Sequence, residues 1–206
     1  MLINLTVVNG QSGLPADVLP DSLSRLPLVK RADLDENGKR VYDKVGGANR
    51  TTPLIGPAGI SLYSPKAAEP IHELNQYLRT SVIGSRYFEL CALVAAREFD
   101  QQYEWTGHET AALRAGVEPS LIDVIKYNKD VTGLAEKDST VIRVGRALFR
   151  DHKVSPALFA KTVELFGRQG ALEISAIMGD YAMAAVILTM ADQHLPADRK
   201  PLLPAR

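Results

Sequence analysis

The residues best suited to chemistry in this chain are an acid and an imidazole four positions apart. Glu104 and His108 lie in the stretch QQYEWTGHET, residues 101–110. At positions i and i+4 of a helix, two side chains share a face. A carboxylate held against an imidazole orients the ring and raises its proton affinity. The spacing therefore indicates a histidine prepared for proton transfer, although an exposed pair worth roughly 0.2–0.5 kcal/mol is the alternative.

A third titratable group, Glu89, lies in the strongly apolar segment SRYFELCALVAAREFD. An ionised carboxylate between Phe88 and Leu90 is costly to bury unless it is hydrogen-bonded or paired. If Glu89 points across a helix–helix contact toward Glu104 and His108, three titratable groups converge in a dry place. Such a cluster suits proton transfer to or from a carbon acid or an enol. A purely structural salt bridge between Glu89 and an arginine remains the other interpretation.

These residues need helices to position them, and helical periodicity runs from residue 64 onward. Ser64–Pro65 and Ser155–Pro156 are typical of an N-cap followed by proline at the first helical position. Between them, glycines at 84 and 116 mark helix ends. The pattern predicts helices over 65–84, 85–100, 101–116, 119–127, 139–150, 155–166 and 171–192.

The N-terminal third has a different composition, rich in Gly, Pro, Ser and Asn, which favour turns and break helices. Only 35–45 has helical spacing there, and the stretch LINLTVV is a doubtful strand. We interpret residues 1–63 as an extended arm rather than an independent domain, with partial disorder as the alternative. Residues 64–195 form the predicted all-α helical bundle and 196–206 a C-terminal tail.

The overall composition excludes several classes of protein. The 206 residues are 46% hydrophobic, and 24 basic residues balance 24 acidic ones, so no basic surface for nucleic acid or an anionic membrane is expected. No leader peptide or membrane span is expected either. Cys91 is the single cysteine, which excludes an intrachain disulfide and favours the cytoplasm.

The remaining histidines, His72, His152 and His194, lie beside polar or helix-end positions and are expected at the surface. None has metal-ligand spacing with another histidine, a cysteine or an acid. The sequence therefore predicts neither a metal site nor a cofactor.

The stretch RYFELCALVAAREFDQQYEWTGHETAALRAGV resembles the helix–turn–helix of the carboxymuconolactone decarboxylase and alkylhydroperoxidase-like (AhpD-like) superfamily. The similarity runs from about residue 54 to about residue 190. Peroxidase members of that superfamily carry a Cys-x-x-Cys pair, and Gln101 and Glu104 occupy those positions here. Without these thiols peroxide reduction is not expected, because it needs an attacking and a resolving thiolate. Cys91 on an apolar face is a poor substitute, so thiol peroxidase activity is the less favoured alternative.

The resemblance assigns Glu89, Glu104 and His108 to the places of the family's proton-relay residues. It implies a lyase or isomerase of aromatic-compound degradation, acting on a small enolisable compound that can carry a carboxylate. In this hypothesis His108 moves the proton, Glu104 fixes the imidazole, and Glu89 binds or relays from the neighbouring helix. A non-catalytic oligomer that binds a small ligand or serves a structural role is the alternative function.

Four further residues are candidates for substrate binding. Arg86 and Arg97 flank Glu89 along its helix, and a guanidinium is suited to hold an anionic substrate. Each could instead be solvated or paired with an acid. Tyr103 and Trp105 are candidates for pocket lining, with core packing as the alternative.

The last predicted helix is apolar around much of its circumference. Its small residues Ala182, Ala184 and Ala185 permit close approach of another helix. A helix that is hydrophobic on both faces is either central to one core or shared between two chains. Members of the superfamily that this chain resembles assemble from several copies of the helical unit. We therefore expect a homo-oligomer that this helix holds together and that residues before about 64 help to stabilise.

Overall fold

The computed structural model describes residues 13–204, which form eight α-helices and no β-strand. A 3-10 turn precedes the first helix, and a π-helical turn at Ala147–Asp151 follows the seventh. The predicted all-α fold is confirmed, whereas the doubtful strand LINLTVV lies outside the described residues. The helices are α1 Glu36–Gly46, α2 Gly56–Ser61, α3 Pro65–Leu78, α4 Gly84–Glu98, α5 Gln102–Arg114, α6 Pro119–Lys126, α7 Glu136–Arg146 and α8 Pro156–Ala191.

Helix α4 is the centre of the main hydrophobic core, as its apolar sequence predicts. It packs against α5, α6, α7 and α8, and every residue from Phe88 to Arg97 is buried. Each fully buried Leu, Val or Phe side chain contributes roughly 1.5–3 kcal/mol relative to exposure. Glu89 is therefore carried into the interior by the apolar residues on either side of it.

A second, smaller hydrophobic cluster joins the N-terminal third to the bundle. Val41 and Tyr42 of α1 pack with Leu62 and with Ala68 of α3. Asp35 caps α1, since its carboxylate accepts a 2.7 Å hydrogen bond from the amide of Gly38. The helix predicted within 35–45 is confirmed, and the N-terminal third contains packed helices in addition to extended segments.

Helix α3 differs from the prediction, because it ends at Leu78 rather than at Gly84. Val82, expected on its apolar face, is 60% exposed and lies in the turn that follows. That turn is held by the buried carboxylate of Glu173, which accepts hydrogen bonds from the Ser81 hydroxyl and the Val82 amide. Gly84 instead begins α4 with a φ of +80°, a left-handed conformation that glycine adopts without strain. A contact with a distant helix thus ends α3 early.

The two helices predicted over 155–166 and 171–192 correspond to two segments of α8. Gly167 separates them, because its φ of 71° and ψ of 173° are not helical. The second segment begins at residue 168. By length and hydropathy α8 could cross a membrane, a test that core helices of soluble proteins also pass. Eight residues predicted as helix, 139–146, lie in α7, which starts three residues earlier at Glu136.

Candidate functional site

The three titratable groups singled out from the sequence lie together between α4 and α5. His108 Nδ1 is 2.7 Å from Glu89 Oε2, and His108 Nε2 is 3.4 Å from Glu104 Oε2. The short connection between the two helices lets α5 pack directly along α4. The side chains are 12%, 9% and 7% exposed for His108, Glu89 and Glu104 respectively. The structure therefore brings the predicted cluster together in a largely dry place.

The two carboxylates decide the protonation state of the imidazole. Burial by itself would lower the pKa of His108, but the hydrogen bonds and charges of Glu104 and Glu89 outweigh burial and raise this pKa to about 9. The ring is consequently an imidazolium at neutral pH, with both nitrogens as donors. Each nitrogen faces one carboxylate.

The positions of the carboxylates differ from the roles expected from spacing. Glu89, across the helix–helix contact, makes the closer approach to the ring, whereas the local i+4 partner Glu104 is at the long limit of a hydrogen bond. Glu104 and His108 line a cavity, and Glu89 does not. Glu89 is thus placed to orient the ring, and Glu104 to face a ligand.

The cavity has a volume of about 210 Å³ and lies between α3, α5 and α8, with α1 and α2 closing one side. This volume is below the range of about 300–1,000 Å³ that is usual for drug-sized ligands. Ile71, Met183 and Ile187 provide part of its apolar lining. The site is suited to a small molecule with an apolar body.

A chain of polar side chains from α3 and α8 forms one wall of the cavity. Arg79 donates from Nη2 to the hydroxyl of Tyr181 at 3.3 Å, and from Nε to Asn75 Oδ1 at 3.0 Å. The Asn75 amide nitrogen donates to Asp180 Oδ2 at 2.8 Å. We call these four residues the α3–α8 wall. Arg79 forms no ion pair with any carboxylate of residues 13–204, so it is a cation available to a ligand.

Aromatic packing connects this wall to the imidazole. The Tyr181 ring stands edge-on to His108 with centroids 4.5 Å apart, and edge-on to Phe88 at 5.8 Å. The Arg79 guanidinium lies 5.1 Å above the Phe88 ring. Because Phe88 is buried in the core, these contacts help to position Tyr181 beside His108 and Arg79 over the Phe88 ring.

The two arginines expected to hold substrate lie elsewhere. Arg86 is paired with Asp138 and with Glu118, at 2.6 Å in each case. Arg97 donates to the carbonyl of Pro204 at 3.1 Å and is 3.0 Å from Asp100. Neither arginine lines the cavity.

The two aromatic candidates also pack outside the cavity. Trp105 is fully buried, and its indole N–H donates to Glu109. The Tyr103 ring lies against the backbone of Gly56, where any Cβ would come within 2.5 Å of the hydroxyl. Core packing, the alternative interpretation, describes Trp105, whereas Tyr103 is half-buried against Gly56.

Several residues of the site were missed or misassigned from the sequence. His72, expected at the surface, lines the cavity together with Asn75 and Arg79. Their spacing of three and four residues places them on one helix face and could have indicated a shared polar wall. Asp180 could have been found by the reasoning applied to Glu89, since it too is an acid inside an apolar helix.

Comparison with known proteins does not extend this assignment: no protein-family model matches the chain, and no curated protein matches it. Within residues 13–204 no group of three or more His, Cys, Asp or Glu side chains is arranged to hold a metal ion. The site must therefore be interpreted from its own geometry.

Proposed function

We propose that this protein is a carboxymuconolactone decarboxylase-like lyase or isomerase that moves a proton on a small enolisable compound. The observation that carries the proposal is His108, held as an imidazolium between two buried carboxylates at the wall of a small cavity. The proposal requires no cofactor and includes the cytoplasmic location expected from the composition.

For a decarboxylation, the bond between the substrate carbon and its carboxylate breaks, and carbon dioxide leaves. The electron pair of that bond enters a dienolate. The Nε2 proton of His108 is then delivered to carbon, and the neutral imidazole regains a proton from water. Glu89 stays hydrogen-bonded to Nδ1 throughout, so that Nε2 remains directed at the substrate carbon.

For an isomerisation, the Glu104 carboxylate removes a proton from one carbon and His108 donates a proton to another. The exchange of protons between the two groups through water restores the starting state. Both reactions need a base and an acid that face one ligand, and Glu104 and His108 both line the cavity.

The charge of the α3–α8 wall supports a substrate that carries a carboxylate. Arg79 lies at the exposed edge of the cavity without an ion-pair partner in the described chain, and a guanidinium binds carboxylates in a defined geometry. In this proposal Arg79 takes the substrate-binding role that was expected of Arg86 and Arg97.

The direct test is turnover of carboxymuconolactone and of small β-keto acids in D2O, followed by NMR for carbon-bound deuterium and by carbon dioxide release. We expect His108→Asn to lower turnover at least about 100-fold, because general acid–base catalysis contributes about 10²–10⁴-fold. Glu104→Gln should cause a comparable loss, and the double variant little more, since the two act as one unit. His152→Asn, an exposed histidine outside the cavity, is the matched control.

Two outcomes would overturn this assignment. Independent losses of only a few-fold would mean that Glu104 and His108 are merely neighbours. Binding of these compounds without any deuterium incorporation would favour the non-catalytic ligand-binding alternative.

We also propose that the protein self-associates through α8. Leu172, Val186 and Met190 are 68%, 57% and 80% exposed on this helix, and a second copy of the chain would cover them. Sedimentation at micromolar concentration should show at least a dimer. A stable, fully active monomer of 22.5 kDa would contradict the proposal.

A further inference from the structure

Two neighbouring residues of the α3–α8 wall, Asp180 and Tyr181, present hydrogen-bonding groups that the protein itself leaves unused. The Tyr181 hydroxyl accepts a hydrogen bond from Arg79, but within residues 13–204 its own proton has no acceptor. The residue is only 4% exposed, and burial raises the pKa of its phenol, so the hydroxyl keeps its proton. Its remaining donor is available to a molecule in the cavity.

Asp180 is left incomplete in the same way. Oδ2 accepts from Asn75, whereas Oδ1 has no hydrogen-bond partner among the described residues. The residue is 7% exposed and forms no ion pair with a described cation. This side chain lines the cavity, so Oδ1 can meet a ligand there.

The hydrogen-bond directions determine where a proton on Asp180 would lie. Arg79 can only donate, so the Asn75 atom that faces it must be the carbonyl oxygen, and the Asn75 N–H₂ must face Asp180. Asp180 Oδ2 is therefore an acceptor. A proton on this carboxyl group would lie on Oδ1, which has no partner.

The surroundings of Asp180 favour that proton. Burial raises the pKa of this carboxyl group and the nearby charge of Glu104 raises it further, against the opposing effects of Asn75 and Arg79. Arg79 also strengthens the Tyr181 donor, since a cation that donates to the phenol oxygen polarises its O–H bond. A proton on Oδ1 of Asp180 would give two O–H donors on adjacent residues beside the imidazolium.

Resting on the proposed function, we propose that Tyr181 and Asp180 are further catalytic residues and that together they bind a carbonyl oxygen of the substrate. The substrate is therefore a ketone or an enone, and the proton is transferred at the carbon next to this carbonyl group. On enolisation, Glu104 takes the proton from that carbon and the C–H electron pair forms a carbon–carbon double bond. The carbonyl π pair moves onto oxygen, where the two donors stabilise the negative charge. After loss of carbon dioxide, the same enolate oxygen would be held while His108 protonates carbon.

Substituted phenols test this assignment without a known substrate, because a phenolate is a planar oxyanion like an enolate and its absorbance reports ionisation. We expect 4-nitrophenol and 4-cyanophenol to bind the wild-type protein at neutral pH in calorimetric and absorbance titrations. Tyr181→Phe should weaken binding about 10-fold or more, the value of one hydrogen bond to a charged group. Tyr127→Phe, which removes an exposed hydroxyl outside the cavity, should bind as the wild type does.

Asp180 provides a second variant that keeps the test decisive if Tyr181→Phe folds poorly. Asp180→Asn is isosteric and retains an N–H donor at the Oδ1 position, so we expect phenol affinity to change by less than about five-fold, whereas Asp180→Ala should weaken it about 5- to 10-fold. If Asp180→Asn binds the phenols 10-fold or more tightly than the wild type does, Asp180 is an ionised acceptor and the proposal is overturned. Failure of wild-type protein to bind the phenols, or equal binding by Tyr181→Phe, would also overturn it.

The phenol titration is independent of turnover. If His108→Asn keeps turnover while Tyr181→Phe loses phenol binding, the proton-transfer assignment fails and the oxygen-binding pair stands. If His108→Asn loses turnover and Tyr181→Phe binds phenols normally, the proton-transfer assignment stands and the oxygen-binding pair fails.

Discussion

Helix α8 carries two buried carboxylates, Glu173 and Asp180, that differ in how many hydrogen bonds they accept. They are seven residues apart, two helical turns, and therefore lie on the same face. Among the residues that the structure describes, Asp180 accepts one hydrogen bond, and it borders the cavity. Glu173 accepts four, from Tyr77, Ser81, Val82 and Gln169.

The number of donors decides the chemistry of each group. Burial would raise the pKa of Glu173, but the hydrogen bonds of Ser81, Gln169 and Tyr77 and of the Val82 amide outweigh it and hold this pKa at about 2. Burial raises the pKa of Asp180, and one amide donor does not compensate. The four hydrogen bonds of Glu173 compensate for its burial, whereas Asp180 borders a cavity where a ligand can reach it.

The largest expected effect on stability follows the loss of Glu173. Glu173→Ala leaves the Ser81 hydroxyl and the Val82 amide without an acceptor in the α3–α4 connection. We expect a loss of about 3 kcal/mol in the free energy of unfolding and a fall of roughly 6–12 °C in Tm. Urea and thermal unfolding would measure it.

The imidazole of His108 should couple stability to alkaline pH. Its pKa is raised from 6.5 to about 9 in the folded protein. The stabilisation is therefore complete below pH 6.5 and is lost as pH rises through about 9. NMR titration of the imidazole should give a midpoint near 9, lowered by at least about one unit in Glu89→Gln.

Two comparisons sharpen this prediction. Glu118→Gln, at an exposed acid that pairs with Arg86, should leave the midpoint unchanged. His108→Asn should remove most of the loss of Tm between pH 7 and pH 10. A midpoint near 6.5 in the wild type would show that the carboxylates do not hold the ring charged.

Asp180→Asn should have a smaller effect on stability than Glu173→Ala. The amide keeps the bond to Asn75 and avoids burial of an ionisable group, so we expect a change within about 1 kcal/mol in either direction. A loss as large as that of Glu173→Ala would show that the two carboxylates serve the fold equally, and would remove the contrast between them.

The smallest expected effect concerns Cys91, which has no exposed surface and whose thiol pKa is raised by burial. Iodoacetamide should not label it in the native protein within hours, although it should do so in denaturant. Cys91→Ser should leave turnover largely intact. Loss of turnover in a folded Cys91→Ser protein would restore the thiol peroxidase alternative.

Much of the fold could be predicted from local sequence signals. The Ser155 side chain caps α8 by accepting from the Leu158 amide, and the apolar run around Glu89 forms the buried centre of the bundle. The proximity of Glu104 and His108 follows from their spacing alone, because both lie on one helix. These features depend on neighbours within about one turn of chain.

Contacts between helices could not be obtained in this way. Three arginines, at 79, 86 and 97, lie near the Glu89 helix in sequence, and only the packing of α3 against α8 brings Arg79 to the cavity. The same packing ends α3 at Leu78, through hydrogen bonds to Glu173 about ninety residues away.

By itself, the sequence determined most of the helices, the buried position of Glu89 and the acid–imidazole pair, because periodicity and apolar composition act locally. Only the tertiary structure decided that Glu89 rather than Glu104 holds the imidazole most closely. It also decided that Asp180 and Tyr181 meet Arg79 and Asn75 at one cavity. The reason is that the crossing and register of two helices set which side chains meet, and these depend on the packing of the whole core.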